Sequence, residues 1–264
     1  MIPGIKQKQS KFFGRLFLVV LYAFFYFPMV VLIVFSFNSR SFPAPWDQFT
    51  FQWYTTLFSE RELWESFFNS SIIALSSSSI CILLTCMMLF FLSRGGRIDR
   101  MMNIFYLNLI LPETVLGVSL LSFFSLLQIP LGLVTIIIAH TIVGLGFAAP
   151  IAFLRFRELD PVIFEASRVL GATPSQTFFR VVLPLMKPVL VTTGLMIFVI
   201  SFDDFVLSYF CSGAGFQTLS LFLVSSVRYG LSPVVNALAT FLLIFTFILA
   251  SVFFSMGKRA RRFV

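Results

Sequence analysis

The stretch Gly132–Leu154, GLVTIIIAHTIVGLGFAAPIAFL, contains no Asp, Glu, Lys or Arg. A helix of about 20 apolar residues crosses a hydrocarbon core about 30 Å thick, so this stretch reads as a transmembrane helix. Working outward from it, five more stretches qualify: Phe12–Phe37, Phe67–Leu92, Met101–Leu127, Pro188–Phe210 and Val234–Met256. Composition agrees, with 58% hydrophobic residues, only 11% charged and a mean hydropathy of +0.97. A soluble domain carries about a quarter charged residues, so lipid is the better solvent for this chain. A transmembrane barrel would show alternating segments of roughly ten residues, whereas these runs are continuous. The first run is too long for a signal-peptide core and is read as a retained span. The expectation is an all-α membrane protein of six transmembrane helices forming a single domain over residues 1–264.

Charge sets the orientation. Lys6, Lys8, Lys11 and Arg15 precede the first span; Arg94, Arg97 and Arg100 follow the second. The loop after the fourth carries Arg155, Arg157, Arg168, Arg180 and Lys187, and the tail Lys258, Arg259, Arg261 and Arg262. Only Arg40, Arg61 and Arg228 fall on the other side. The positive-inside rule then puts both termini in the cytoplasm. The net charge of +8 is topology; cations spread over four segments do not make the basic stripe of a nucleic-acid binder. Cys81, Cys86 and Cys211 form no metal-like cluster and read as small packing residues.

Two connections stand out. Residues 38–66 carry Pro43, Pro45, Trp46, Trp53, Tyr54 and Trp64, and such aromatics settle at the membrane interface, here the outer one. The segment is mildly acidic, with Asp47, Glu60, Glu62 and Glu65. Residues 155–187 form the longest inner loop. Asp160 is suited to an N-cap, Pro161 to the first helical position and Gly171 to the C-terminal stop. Thr173-Pro174-Ser175-Gln176 follows as a capping box, opening a second helix that Pro184 is expected to end. Both short helices have apolar faces: Val162, Ile163, Ala166, Val169 and Leu170, then Phe178, Phe179, Val182 and Leu183. Isolated helices of this length are marginal in water, so these faces need a partner, either the chain's own spans or a soluble protein.

In this loop Glu165-Ala166-Ser167, Gly171 and Leu183-Pro184 resemble the EAA motif of the binding-protein-dependent ABC importer permeases, with Ser167 in place of the second alanine. The resemblance extends to Ser36-Phe37-Asn38, Trp46, Trp53-Tyr54, Ser201-Phe202-Asp203-Asp204 and Ser232-Pro233, and is strongest to the spermidine/putrescine branch. It implies a type I ABC importer permease fold in a bacterial inner membrane. It further implies that Glu165, Ala166, Ser167, Gly171, Leu183 and Pro184 engage a cytoplasmic ATPase. The partners it implies are two ATPase copies, a second permease subunit of a different sequence, an external polyamine-binding protein and membrane lipid, with no nucleic acid. The chain lacks a G-x-x-x-x-G-K-[ST] phosphate loop, so ATP–Mg is expected on the partner ATPase and no cofactor or catalysis here. The alternative solute is a metal–ligand complex or an organophosphonate.

Acids within spans need the most explanation, because each costs about 2.5–3.5 kcal/mol on insertion scales and normally faces a pathway or a partner. Glu113, Asp203 and Asp204 are the three. At 1.5 Å per residue, Glu113 lies about 18 Å beyond Met101 and Asp203 about 22 Å beyond Pro188, so all sit at similar depth. A polycation would suit such a level, with Trp46 offering a cation–π face at the outer mouth, and the resemblance implies these positions and Ser201. Adjacent helical residues do not share a face, so Asp203 and Asp204 cannot both enter one pore; one would bond a neighbouring span or cap a helix break after Ser201. Glu113 follows Pro112 and is suited to backbone groups freed at a kink. His140, the sole histidine, reads as packing, Ser76 to Ser79 as a small-residue contact, and Gly144, Gly146 and Pro150 as features that loosen the fourth span.

Overall fold

A computed structural model describes residues 3–40, 45–228 and 233–244, which are helical apart from turns and one isolated bridge between Asn38 and Phe49. The tail cations and most of the sixth expected span, Val234–Met256, lie outside the described residues. The chain divides into two compact units, one built from the region up to Arg61 with the chain from Leu223 onward, the other Glu62–Phe222.

In the first unit, helix α1 (Pro3–Phe35) runs through Pro28 and exposes Phe17, Phe24 and Phe27 along its apolar length. The following segment folds back on itself. Ser39 N–H donates to Gln48 O (2.9 Å) and Thr50 N–H to Phe37 O (2.8 Å). Buried Asn38 accepts the Asp47 N–H on its side-chain oxygen (2.9 Å), while its carbonyl accepts Trp53 Nε1–H (2.7 Å). The Ser36 and Tyr54 hydroxyls meet at 2.8 Å. Helix α2 (Gln52–Ser59) completes this cap.

The second unit centres on α6 (Leu133–Arg157), which packs against α4 (Asp99–Ile110), α5 (Glu113–Leu126), α9 (Leu183–Asp203) and α10 (Val206–Cys211). Helix α3 (Arg61–Ser93) joins it through Cys81 Sγ, which lies 3.3 Å from Thr141 O. Close approach requires missing side chains. A Cβ on Gly144 would lie 2.7 Å from Cys81 Sγ and 2.9 Å from Ile197 Cγ2, and one on Gly146 2.7 Å from Asn108 Nδ2. These glycines therefore tighten the fourth span, against the expectation that they loosen it, and α6 runs unbroken through Pro150.

Two expected spans are not straight rods. The third bends by 112° between Ile110 and Glu113. Pro112 has no N–H to continue the ladder, and the residue before a proline is pushed from the α region; Leu111 is extended, at ψ 133°. The fifth stops at Asp203, where Asp204 turns extended (ψ 124°) before α10 begins. At its other end the same span is longer than expected. Pro184 does not stop the helix: α8 (Pro174–Thr177) passes through a π turn, Phe178–Val182, directly into α9. Leu183 N–H reaches back five residues to Phe178 O. The wide turn sits immediately before the proline, where the regular ladder has to adjust.

Among the described residues four helical stretches are long and apolar enough to cross a membrane: Gly14–Phe35, Arg61–Ser93, Leu133–Arg157 and Pro174–Asp203. The bent pair α4–α5 makes a fifth when counted as one span. Helices α11 (Leu219–Arg228) and α12 (Pro233–Ile244) complete the described chain.

Candidate functional site

Two constellations in the second unit carry chemistry or partner contact. The first is the elbow formed by α7 (Pro161–Val169) and α8. Asp160 caps α7 by accepting Val162 N–H at 2.9 Å. Gly171 turns the chain at φ +76°, a backbone that favours glycine. Thr173 and Gln176 cap α8 reciprocally, at 3.3 and 2.8 Å. Inside the corner the buried Ser167 and Thr177 hydroxyls meet at 2.7 Å. Phe164 turns inward onto Phe156, ring centroids 5.8 Å apart, and joins a core containing Leu89, Phe178, Val182 and Met186. The opposite face is bare: Glu165 and Ala166 are exposed, and Val169 and Leu170 are 87% and 86% exposed. The elbow is thus packed on one side and apolar with charged neighbours on the other. Leu183 is half-buried and Pro184 exposed on the helix that continues it.

The second constellation lies at the two helix breaks. Glu113 opens α5 and Asp204 lies between α9 and α10, and both line one small pocket with His140, Ser201, Gly144, Ile197 and Leu207. The pocket holds about one water-sized group. Asp204 Oδ2 accepts Ser208 N–H at 2.9 Å and lies 3.1 Å from His140 Nε2; its Oδ1 has only a 3.5 Å approach from Leu207 N. On the far side of the imidazole, Nδ1 lies 2.6 Å from the Ser201 hydroxyl. A carboxylate only accepts, so Nε2 carries the hydrogen, and a neutral ring then accepts the Ser201 O–H at Nδ1. His140 is 4% exposed and the Asp204 side chain 6%.

Among the described residues no Lys or Arg lines the pocket beside these acids, and the breaks supply a substitute. The start of a helix presents free N–H groups and a partial positive charge. Glu113 occupies the first turn of α5, and Asp204 takes up the N–H groups at the start of α10 directly. Asp204 both bonds a neighbouring span and caps a break, the two alternatives expected for whichever aspartate does not simply face the pore. Asp203 is exposed as the last residue of α9 and does not line the pocket. Trp46 is exposed and belongs to the first unit.

The histidine set aside as packing sits at the centre of this cluster. A signal for it was present: Ser201, Asp204 and Ser208 are spaced to share a face, and an ionisable group in an uncharged span is a functional candidate by default. A larger groove between α3 and α9 is apolar apart from Ser78, Ser79, Cys86 and Lys187, and no acid lines it.

Broken helices that bring two carboxylates to one pocket in an apolar bundle, with an exposed amphipathic elbow at the other end of α9, suit a membrane permease. Residues 81–262 match the family of binding-protein-dependent transport system inner membrane components, and the chain belongs to that family. It is therefore an inner membrane component of a transport system. It is similar to the spermidine/putrescine transport system permease protein PotC of Haemophilus influenzae, at 32% identity over 89% of this chain and 93% of that one. Escherichia coli PotC is 32% identical over 89% and 92% of the two chains. The putrescine transport system permease protein PotI of Escherichia coli is 33% identical over 84% and 82%. Among solved structures, a bacterial ABC transporter involved in import of the acidic polysaccharide alginate aligns at a TM-score of 0.72, with 15% identity, over 95% of this chain and 97% of that one. That likeness establishes the fold.

Proposed function

We propose that this chain is one of two permease subunits of an ATP-driven polyamine importer, carrying spermidine or putrescine. The observation that carries the reading is the pairing of Glu113 and Asp204 at facing helix breaks, in a chain whose full-length relatives serve polyamines. An ammonium group is close to water in size and matches the pocket, and two carboxylates suit a cation better than an organophosphonate anion. Ser201 lines the same pocket; Asp203 in the second unit and Trp46 in the first each offer the substrate a further contact. The chain crosses the membrane six times with both termini in the cytoplasm, in keeping with its distribution of cations.

Two ATPase copies hold ATP–Mg and supply hydrolysis. One grips Glu165, Ala166, Val169 and Leu170 on the exposed face of the elbow. Ser167, Gly171, Leu183 and Pro184 carry the motion into α9, since α8 and α9 form one helix with α7 folded on its start. A permease of different sequence forms the other half of the pathway, and an external binding protein delivers the polyamine. The test is ATP-dependent spermidine uptake into proteoliposomes holding the whole complex, with wild type, Asp203→Asn and Asp204→Asn. Both amide variants assemble and take up less; wild-type rates in both would refute the reading.

A further inference from the structure

We propose that His140 is a positioning residue for the cation site, fixing one oxygen of Asp204 so that the other is left to meet a substrate ammonium. The inference rests on the polyamine reading above. The two oxygens of Asp204 are not equivalent. Oδ2 is held twice, by Ser208 N–H at 2.9 Å and by His140 Nε2 at 3.1 Å, whereas Oδ1 has a single long approach of 3.5 Å from Leu207 N. With one oxygen tied, the carboxyl plane stays fixed, and Asp204 lines the pocket it shares with Glu113. The imidazole is itself immobilised, by Ser201 at Nδ1 (2.6 Å) and by burial against Val143, Gly144 and Ile197. A neutral ring serves this role best, because it donates to Asp204 without cancelling the carboxylate charge that an ammonium needs.

Among the described residues the pocket offers no other group for the task. The pocket's titratable members are Glu113 from α5, His140 from α6 and Asp204 from the α9–α10 junction, with Ser201 and Ser208 as the hydroxyls in reach. Helix α4 contributes Asn108, whose amide donates to Ile142 O at 2.6 Å. Helix α10 further along carries Cys211, whose carbonyl accepts from Thr135. Two ring nitrogens with two different partners make the role separable by substitution. Asparagine at position 140 reproduces the Nδ1 side, facing Ser201, and falls short of Asp204. Glutamine reaches the Nε2 position and donates to Asp204.

The experiment measures concentration-dependent spermidine uptake by the reconstituted complex carrying His140→Asn, His140→Gln, Asp204→Asn or His140→Asn with Asp204→Asn. His140→Asn raises KM by about tenfold, the loss of one hydrogen bond to a charged group, with Vmax little changed. His140→Gln restores KM to within about threefold of wild type. In the Asp204→Asn background the His140→Asn change adds nothing further to KM. A merely structural histidine predicts the reverse: equal loss for Asn and Gln, a fall in Vmax, and multiplying effects in the double variant. Any of these overturns the proposal. If Asp204→Asn raises KM while His140→Asn does not, this inference alone fails; if Asp204→Asn leaves KM unchanged, the substrate reading fails with it.

Discussion

The buried contact between the Ser167 and Thr177 hydroxyls, 2.7 Å apart, closes the corner between α7 and the long helix α8–α9. Replacing Ser167 with alanine removes one partner and leaves the Thr177 hydroxyl to find another. Abandoning a buried hydroxyl costs about 1–3 kcal/mol. Here the lower end applies, because a helical threonine turns its oxygen back to the carbonyl four residues earlier, and Thr173 O lies there, accepting Thr177 N–H at 2.9 Å. About 1 kcal/mol shifts the population of closed elbows about fivefold. On the proposed coupling, an elbow that opens under load transmits less of the ATPase stroke to α9, so the measured quantity is polyamine carried per ATP hydrolysed. In proteoliposomes this ratio falls several-fold in Ser167→Ala and in Thr177→Val, with hydrolysis retained. The double variant falls no further, since each change breaks the same bond. Two single losses that multiply in the double variant, or a ratio equal to wild type in both singles, would refute the clamp.

Two further outcomes follow from exposure and packing. Glu165→Lys places a cation on the bare face of the elbow; uptake drops at least about tenfold, as one interfacial contact of this kind is worth more than 1.4 kcal/mol, while the membrane complex still purifies intact. Gly144→Ala sets a Cβ 2.7 Å from Cys81 Sγ, an overpacking penalty of about 1–3 kcal/mol, read as a lower thermal midpoint of the detergent-solubilised complex. Cys81→Ala in the same chain recovers part of that loss, and an unchanged midpoint in Gly144→Ala alone would count against the packing argument.

The parts of this molecule that could be read from its sequence are those whose physics is local. Long apolar runs announce helices in lipid, and the caps of the elbow appear in the structure where Asp160, Gly171 and Thr173 suggest them. Proline was the ambiguous letter. Pro112 breaks its span and Pro28 and Pro150 do not, while Pro184 is accommodated by a π turn placed ahead of it. The outcome depends on what surrounds the freed carbonyls, which spacing does not encode. His140 was misread for the same reason. Its partners Ser201 and Asp204 lie 61 and 64 residues away along the chain, and only the packing of α6 on α9 makes them neighbours. The glycines of α6 look like flexible points in one dimension and are contact points in three.

The site's acids and the fold's irregularities are the same feature. A helix interrupted in lipid leaves N–H groups that need acceptors, and an apolar span has none to give. Asp204 supplies them at the start of α10, and Glu113 stands at the equivalent start of α5. Asp204 is thereby stabilised by the break it repairs, and Glu113 stands in the partial positive charge at the start of α5. That arrangement matters for a transporter. A buried carboxylate neutralised by a fixed side-chain cation has little attraction left for a mobile one, whereas on the proposed reading one held by backbone N–H groups keeps its attraction for the substrate. It also explains why amide substitutions are the informative ones at position 204. Asparagine retains an oxygen to accept the N–H groups of α10 and removes only the charge, whereas alanine removes both and confounds a lost site with an unrepaired helix.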